Sequence, residues 1–130
     1  MKTLIVEDDF TSRLLLHEIL KAHGPVHIAV NGKEAVVAAH TALSAGEPYD
    51  LICLDIMMPE MDGYEALAGI RDTEEARGIT SSHGTKIIMT TVLDHAKNVS
   101  QAFHGLCDAY LLKPIDKGKL LDQVRAFGLI

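Results

Sequence analysis

The chain lacks the features of membrane-spanning, secreted and metal-cluster proteins. Its 130 residues include no tryptophan and two cysteines, Cys53 and Cys107. Neither cysteine has a partner at a spacing typical of metal ligands, so we expect two reduced thiols in apolar surroundings. No apolar run approaches the ~18 residues that a membrane span needs. The N-terminal run turns acidic after three apolar residues, so we expect no signal peptide and a cytoplasmic location.

Positive charge is also scarce. The chain has 12 lysines and arginines against 18 aspartates and glutamates, a net charge of −6. This balance argues against nucleic acid or an anionic membrane as the partner. The seven histidines show no paired spacing of the HExxH kind, which argues against a zinc site. With 48% hydrophobic residues, no repeats and no linker, residues 1–130 are expected to form one domain.

Hydrophobic patterning predicts five strands that alternate with five helices. The predicted strands cover residues 4–6, 26–30, 50–54, 86–90 and 109–112, and the predicted helices cover residues 11–23, 33–43, 62–70 and beyond, 95–106, and a last segment after 116. The polar stretch 73–84 is predicted to be a frayed helix end and a long loop. Strict alternation favours the α/β class, with a parallel sheet that is doubly wound by helices on both faces, a (βα)5 arrangement.

Polar residues stand at the ends of four predicted strands. Glu7 and Asp8 follow the first, Asp55 the third, Thr91 the fourth and Lys113 the fifth. The carboxyl ends of parallel strands meet at one crevice, so these side chains should converge. Only one of the two adjacent threonines of the fourth strand can face the crevice, and Thr91 is expected to do so because it lies nearer the strand's carboxyl end.

Three carboxylates in one crevice repel one another, so either one is protonated or a cation lies among them. Hard oxygen ligands favour Mg²⁺, with Mn²⁺ as a substitute. Asp8 and Asp55 would be direct ligands, and Glu7 would act through a bound water. The backbone carbonyl of Met57 could add a further oxygen.

The cation, Lys113 and Thr91 together suit a phosphoryl group, whose negative charge is spread over three oxygens. Asp55 has no evident water-activating partner, which disfavours a role as general base. It is therefore predicted to be a nucleophile that forms an aspartyl phosphate.

Four motifs resemble those of response-regulator receiver domains in two-component signalling, and the resemblance covers the whole chain. The motifs are IVEDD at 5–9, LDIMMPEMDG at 54–63, IIMTT at 87–91 and YLLKP at 110–114. Their order and spacing together are far more specific than any one of them. The resemblance implies the flavodoxin-like receiver fold.

The resemblance also implies roles for individual residues. Asp55 becomes the phosphoacceptor, Glu7 and Asp8 the acidic pair, and Thr91 and Lys113 the contacts to the phosphoryl group. Tyr110 matches the switch aromatic, and the bond between Lys113 and Pro114 is expected to be cis.

The implied partners are a histidine kinase or histidine phosphotransfer domain as phosphodonor and a downstream target protein. The target would bind the face built from the fourth helix, fifth strand and fifth helix. Nucleic acid and membrane are not expected partners, and homodimerisation on phosphorylation stays open. Such a domain catalyses only its own phosphorylation and dephosphorylation.

Three positions depart from the usual pattern. Val92 replaces a small residue after Thr91. Met57 and Leu93 stand where the family flanks the path of the hydrolytic water, and their apolar side chains give that water little to bond. We therefore predict a long-lived aspartyl phosphate.

There are three alternatives to a stand-alone receiver domain that is phosphorylated. The chain could be a fragment of a larger response regulator with an output domain, and sequence leaves this open. A phosphatase that uses an aspartyl-phosphate intermediate commonly has a second aspartate two residues after the nucleophile, where this chain has Met57. A degenerate receiver that is not phosphorylated is disfavoured by the complete set of site residues.

Overall fold

A five-stranded parallel sheet forms the centre of the molecule. The structure is a computed structural model that describes residues 1–58, 60–80, 82–92 and 106–130. The strands are β1 (Thr3–Val6), β2 (Val26–Ala29), β3 (Leu51–Asp55), β4 (Lys86–Thr91) and β5 (Ala109–Leu112). Their spatial order is β2-β1-β3-β4-β5, and every neighbouring pair is parallel. The predicted α/β parallel sheet is confirmed.

Three of the described helices connect successive strands and a fourth follows β5, as predicted. They are α1 (Phe10–Leu20), followed by a 3₁₀ turn (Lys21–His23), then α2 (Gly32–Ser44), α3 (Gly63–Glu75) and a C-terminal helix (Lys117–Ala126). Leu93 and all but the last residue of the predicted helix over 95–106 lie outside the described residues. Among the helices that are described, none has the length and apolar character needed to cross a membrane.

Each of these four helices has the same kind of N-terminal cap. A side-chain oxygen of the residue before the helix accepts a hydrogen bond from the backbone N–H three residues further on, at 2.8–2.9 Å. This cap satisfies one of the N–H groups that a helix start leaves unpaired. The four capping residues are Asp9, Asn31, Asp62 and Asp116.

Two apolar layers cover the two faces of the sheet. Alternate residues of β3, such as Ile52 and Leu54, pack in a cluster that includes residues of α2 and α3, whereas Leu51 and Cys53 pack with α1 and the C-terminal helix. This alternation is why the strands read as continuous apolar runs. Burial raises the pKa of the Cys53 thiol to about 12, and neither cysteine forms a disulfide, as predicted.

Two boundaries differ from the prediction in ways that matter for function. Strand β3 runs through Asp55 rather than stopping before it, so the carboxylate belongs to the sheet. Helix α3 runs to Glu75, and Glu74, in the stretch predicted to be frayed, is buried. The reason is a buried ion cluster around Arg71, which has no local sequence signature.

Candidate metal centre and active site

Adjacent strands bring the acidic residues to one edge of the sheet. In the ladder between β1 and β3, Val6 is paired with Leu54. Glu7, which follows β1, and Asp55, the last residue of β3, therefore lie side by side where the strands end. Asp8 follows at the start of the loop that leads to α1. The predicted convergence of these three residues is observed.

The three carboxylates form a compact group. One oxygen from each of Glu7, Asp8 and Asp55 lies within 4.8 Å of the other two. Glu7 and Asp55 are buried, whereas Asp8 is exposed at the mouth. Several carboxylate oxygens around one small space, open to solvent on one side, fit a hard divalent cation that keeps part of its water shell.

Lys113 supplies the positive charge of the site. Its Nζ lies 2.6 Å from Oε1 of Glu7 and 3.2 Å from Oδ1 of Asp55. Strand β5 delivers it, and the backbone N–H of Lys113 donates to the carbonyl of Thr91 at 2.7 Å. The bond between Lys113 and Pro114 is cis, as predicted.

The charges of the site are unbalanced. Burial raises the pKa of Glu7, the neighbouring Asp55 raises it further, and the Lys113 ammonium only partly offsets both. For Lys113, burial lowers the pKa, but its contacts with Glu7 and Asp55 outweigh burial and leave the pKa raised. Lys113 is therefore a cation at neutral pH. One ammonium faces three carboxyl groups, so the site favours a further cation.

The other predicted site residues are on β4 and β5 or follow β3. Thr91 is buried at the end of β4, and its hydroxyl donates to the carbonyl of Val92 at 3.1 Å. Met57, two residues after Asp55, is 59% exposed, and Tyr110 on β5 is 42% exposed. Their roles, including that of the Met57 carbonyl, stay predictions.

The structure adds one residue that the sequence analysis missed. Arg13 on α1 donates from Nη1 to the backbone carbonyl of Glu7 at 3.1 Å, and its guanidinium lies 5.6 Å from the centre of the Phe10 ring. It thereby ties the first turn of α1 to the end of β1. An arginine early in an amphipathic helix carries no signal that would distinguish it from a surface charge.

Known proteins share the sequence pattern and the fold of this chain. The family model described as "Response regulator receiver domain" matches residues 3–125. Hybrid signal transduction histidine kinase B of Dictyostelium discoideum is 33% identical over 129 residues, which cover 95% of this chain and 6% of that protein. The chain likewise spans half or less of the length of several other curated relatives.

Two solved structures resemble the whole chain. One is the receiver domain of a sensor histidine kinase from Pseudomonas aeruginosa with magnesium coordinated in its active site cleft; it is 26% identical, has a TM-score of 0.76, and the match covers 98% of this chain and 97% of that one. The other is the receiver domain of Ssk1 of Saccharomyces cerevisiae in complex with the histidine phosphotransfer protein Ypd1. It is 28% identical, has a TM-score of 0.82, and the match covers 98% of this chain and 88% of that one.

Proposed function

The chain belongs to the response regulator receiver domain family of two-component signalling, and from this premise we propose that it accepts a phosphoryl group on Asp55. The observation that carries the proposal is the convergence of Glu7, Asp8 and Asp55 within 4.8 Å, with the Lys113 ammonium in contact with two of them. This is the set of charges that an aspartyl phosphate with a divalent cation requires. We propose that residues 1–130 act as one receiver domain.

The chemistry follows from the positions of the side chains. An oxygen of Asp55 attacks the phosphorus of a phosphohistidine, the P–N bond breaks, and the electron pair returns to the imidazole. The Lys113 ammonium and the Thr91 hydroxyl donate hydrogen bonds to phosphoryl oxygens as charge develops on them. In this proposal Lys113 exchanges its contact with Asp55 for one with the phosphoryl group.

The acidic group is the proposed metal site. Asp8, Asp55 and the backbone carbonyl of Met57 would be ligands, with Glu7 acting through water. A bound Mg²⁺ would screen the repulsion between Asp55 and the incoming phosphoryl group. Magnesium in the cleft of the related Pseudomonas aeruginosa domain supports this assignment. Mn²⁺ is the proposed substitute because it also prefers oxygen ligands.

The proposed phosphodonor is a histidine kinase or a histidine phosphotransfer domain. The complex of the related Ssk1 receiver domain with Ypd1 supports this class of partner. The relatives include histidine kinases, which the chain matches over a small fraction of their length. Because such donors are phosphorylated from ATP, we propose a cytoplasmic location. A net charge of −6 supports a protein partner over nucleic acid or an anionic membrane.

The proposed output surface comprises the predicted fourth helix, β5 and the C-terminal helix. A groove of about 380 Å³ beside β5 supports it, lined by Tyr110, Leu111, Leu112, Lys113, Pro114, Asp116 and Lys119. Lys113 belongs both to this groove and to the acidic site. A phosphoryl group that forms a contact with the Lys113 ammonium therefore alters the lining of the groove. Phosphorylation can shift the equilibrium between two conformations of this surface only by the difference in their interaction free energies with the phosphoryl group. Homodimerisation through this face is a second use of the same surface.

The family is a signalling domain, and we propose that this chain catalyses only its own phosphorylation and dephosphorylation. A phosphatase that turns over external substrates needs an acid/base beside the nucleophile. Met57, at the position where such enzymes carry an aspartate, has no group that exchanges a proton.

The experiment that tests the proposal measures the intact mass of the chain after incubation with a small acyl phosphate and Mg²⁺. We expect a gain of one phosphoryl group, and no gain when a chelator removes the metal. The chelated sample controls for acylation or phosphorylation of surface groups, since these need no metal. If the mass does not change with any donor at saturating Mg²⁺, the proposal is wrong.

The lifetime of the phosphoryl group is the second expectation for this site. Replacing Met57 with asparagine gives the hydrolytic water a hydrogen-bond partner, worth about 1 kcal/mol, so we expect dephosphorylation to be faster by roughly fivefold. The measurement follows the loss of phosphorylated mass after the donor is removed. Val37 on α2 is, like Met57, an exposed apolar residue, so Val37→Asn is the matched control and should not change the rate. If neither Met57→Asn nor its combination with Leu93→Glu speeds dephosphorylation, the apolar flank does not protect the phosphate.

A further inference from the structure

A buried arginine lies at the end of the sheet opposite to the acidic site. Arg71 of α3 is 6% exposed, and its guanidinium makes four hydrogen bonds. Nε donates to the carbonyl of Leu106 at 2.7 Å, and Nη1 donates to Oε1 of Glu74 at 2.7 Å and to the carbonyl of Thr85 at 2.8 Å. Nη2 donates to Oδ2 of Asp108 at 3.0 Å. A planar fork of donors is required to reach all four acceptors.

These contacts hold the starts of two neighbouring strands. Thr85 immediately precedes β4, and its N–H donates to Oε2 of Glu74 at 2.7 Å. Asp108 immediately precedes β5; its backbone N–H donates to the carbonyl of Ile87 at 2.8 Å, and its carboxylate accepts from the N–H of Ile87 at 2.8 Å. One guanidinium therefore fixes where β4 and β5 begin relative to each other and to α3.

Strand β5, like β2 at the opposite edge of the sheet, depends on contacts at its start because only one neighbouring strand fixes its register. It has four residues, lies at the edge of the sheet and is paired with β4 alone. A shift of one residue in its pairing would turn every side chain to the opposite face. Lys113 directly follows the strand, roughly 16 Å from Asp108 at ~3.3 Å per residue. The position at which β5 starts thus determines the position of the Lys113 ammonium in the site.

We propose that Arg71 is a positioning residue for phosphoryl transfer, acting through β5 on Lys113. The inference rests on the proposed function, in which Lys113 contacts the phosphoryl group. The hydrogen bonds described for Arg71 go to Glu74, to Leu106 and to the residues before β4 and β5, at the end of the sheet opposite to the proposed metal ligands. A cluster that served stability alone would change the free energy of unfolding and leave the chemistry of the folded protein unchanged.

The test compares Arg71→Lys with Arg77→Lys. Lysine keeps the charge at position 71 but cannot make the four-bond fork. Well below the unfolding transition of the variant, we expect Arg71→Lys to slow phosphorylation by a small acyl phosphate at saturating Mg²⁺ by about tenfold. The Kd for Mg²⁺ should change by less than about twofold because its ligands are untouched. Arg77, near the end of α3, donates to the exposed Ser44 hydroxyl at 2.8 Å, so its replacement by lysine should change neither quantity.

A double-variant comparison separates this inference from the proposed function. If Arg71 acts through Lys113, then Arg71→Lys adds no further slowing in a Lys113→Met background. Asp108→Ala breaks the link to β5 while leaving the pair of Arg71 and Glu74, so it provides the same test if Arg71→Lys does not fold. Unchanged phosphorylation in both variants, or full additivity with Lys113→Met, overturns the inference alone. If Lys113→Met itself has no effect, the proposed role of Lys113 fails instead.

Discussion

Asp55→Asn is expected to abolish the metal-dependent gain of a phosphoryl group. The variant keeps the size of the side chain but replaces the attacking carboxylate with an amide, which is not a nucleophile at neutral pH. It also removes one proposed metal ligand from the group of three. The loss is measured from the intact mass after incubation with a small acyl phosphate and Mg²⁺.

Misfolding is not expected to cause that loss, because Asp55 is one of the groups that raise the pKa of Glu7. An amide at position 55 removes a negative charge from beside Glu7, so the free energy of unfolding of the metal-free protein should not fall. Asp62→Asn is the matched control. Asp62 caps α3 by accepting from the N–H of Glu65 at 2.9 Å, and asparagine caps equally well. Phosphorylation of Asp55→Asn at the wild-type level would show that another residue is the acceptor.

Lys113→Met is expected to slow phosphorylation by about 10² to 10³-fold, the usual cost of removing a donor that stabilises developing charge on oxygen. Methionine keeps much of the apolar stem but has no charge. The Nζ of Lys113 contacts both Glu7 and Asp55, and the ion pairs described for these two carboxylates involve Lys113 alone. The affinity for Mg²⁺ should be retained or rise, because a competing cation is removed from the carboxylates.

Rate and metal affinity must be measured separately for this variant. Single-turnover phosphorylation at saturating Mg²⁺ gives the rate, and calorimetric titration gives the Kd for Mg²⁺. Lys117→Met is the control, since Lys117 is exposed in the first turn of the C-terminal helix. A rate within about twofold of the wild type would exclude Lys113 from stabilising the transferred group.

Much of the site could be predicted because parallel strands impose a simple geometry. All their carboxyl ends lie at one edge of the sheet, so residues that follow separate strands become neighbours. The contact of Glu7 with Lys113 joins residues 106 positions apart, and the alternation of strands and helices was enough to predict that these two side chains converge. Helix starts were predictable for a similar reason, since the caps at Asp62 and Asp116 are local interactions.

The Arg71 cluster could not be predicted from the sequence. Arg71 and Glu74 are three residues apart on a helix and read as an ordinary exposed ion pair. Their burial depends on Asp108, which lies 37 residues from Arg71, and on two backbone carbonyls, Leu106 and Thr85. Backbone acceptors have no sequence signature, and the register between β4 and β5 decides whether the carboxylate reaches the guanidinium.

The most direct test of the central claim identifies the phosphorylated residue chemically, without a substitution. Wild-type chain is incubated with a small acyl phosphate and Mg²⁺ and then treated with borohydride, which reduces an aspartyl phosphate to homoserine and releases phosphate. Peptide mass analysis then locates the change. We predict homoserine at position 55 and at no other position; a reduced residue elsewhere, with Asp55 intact, would contradict the account.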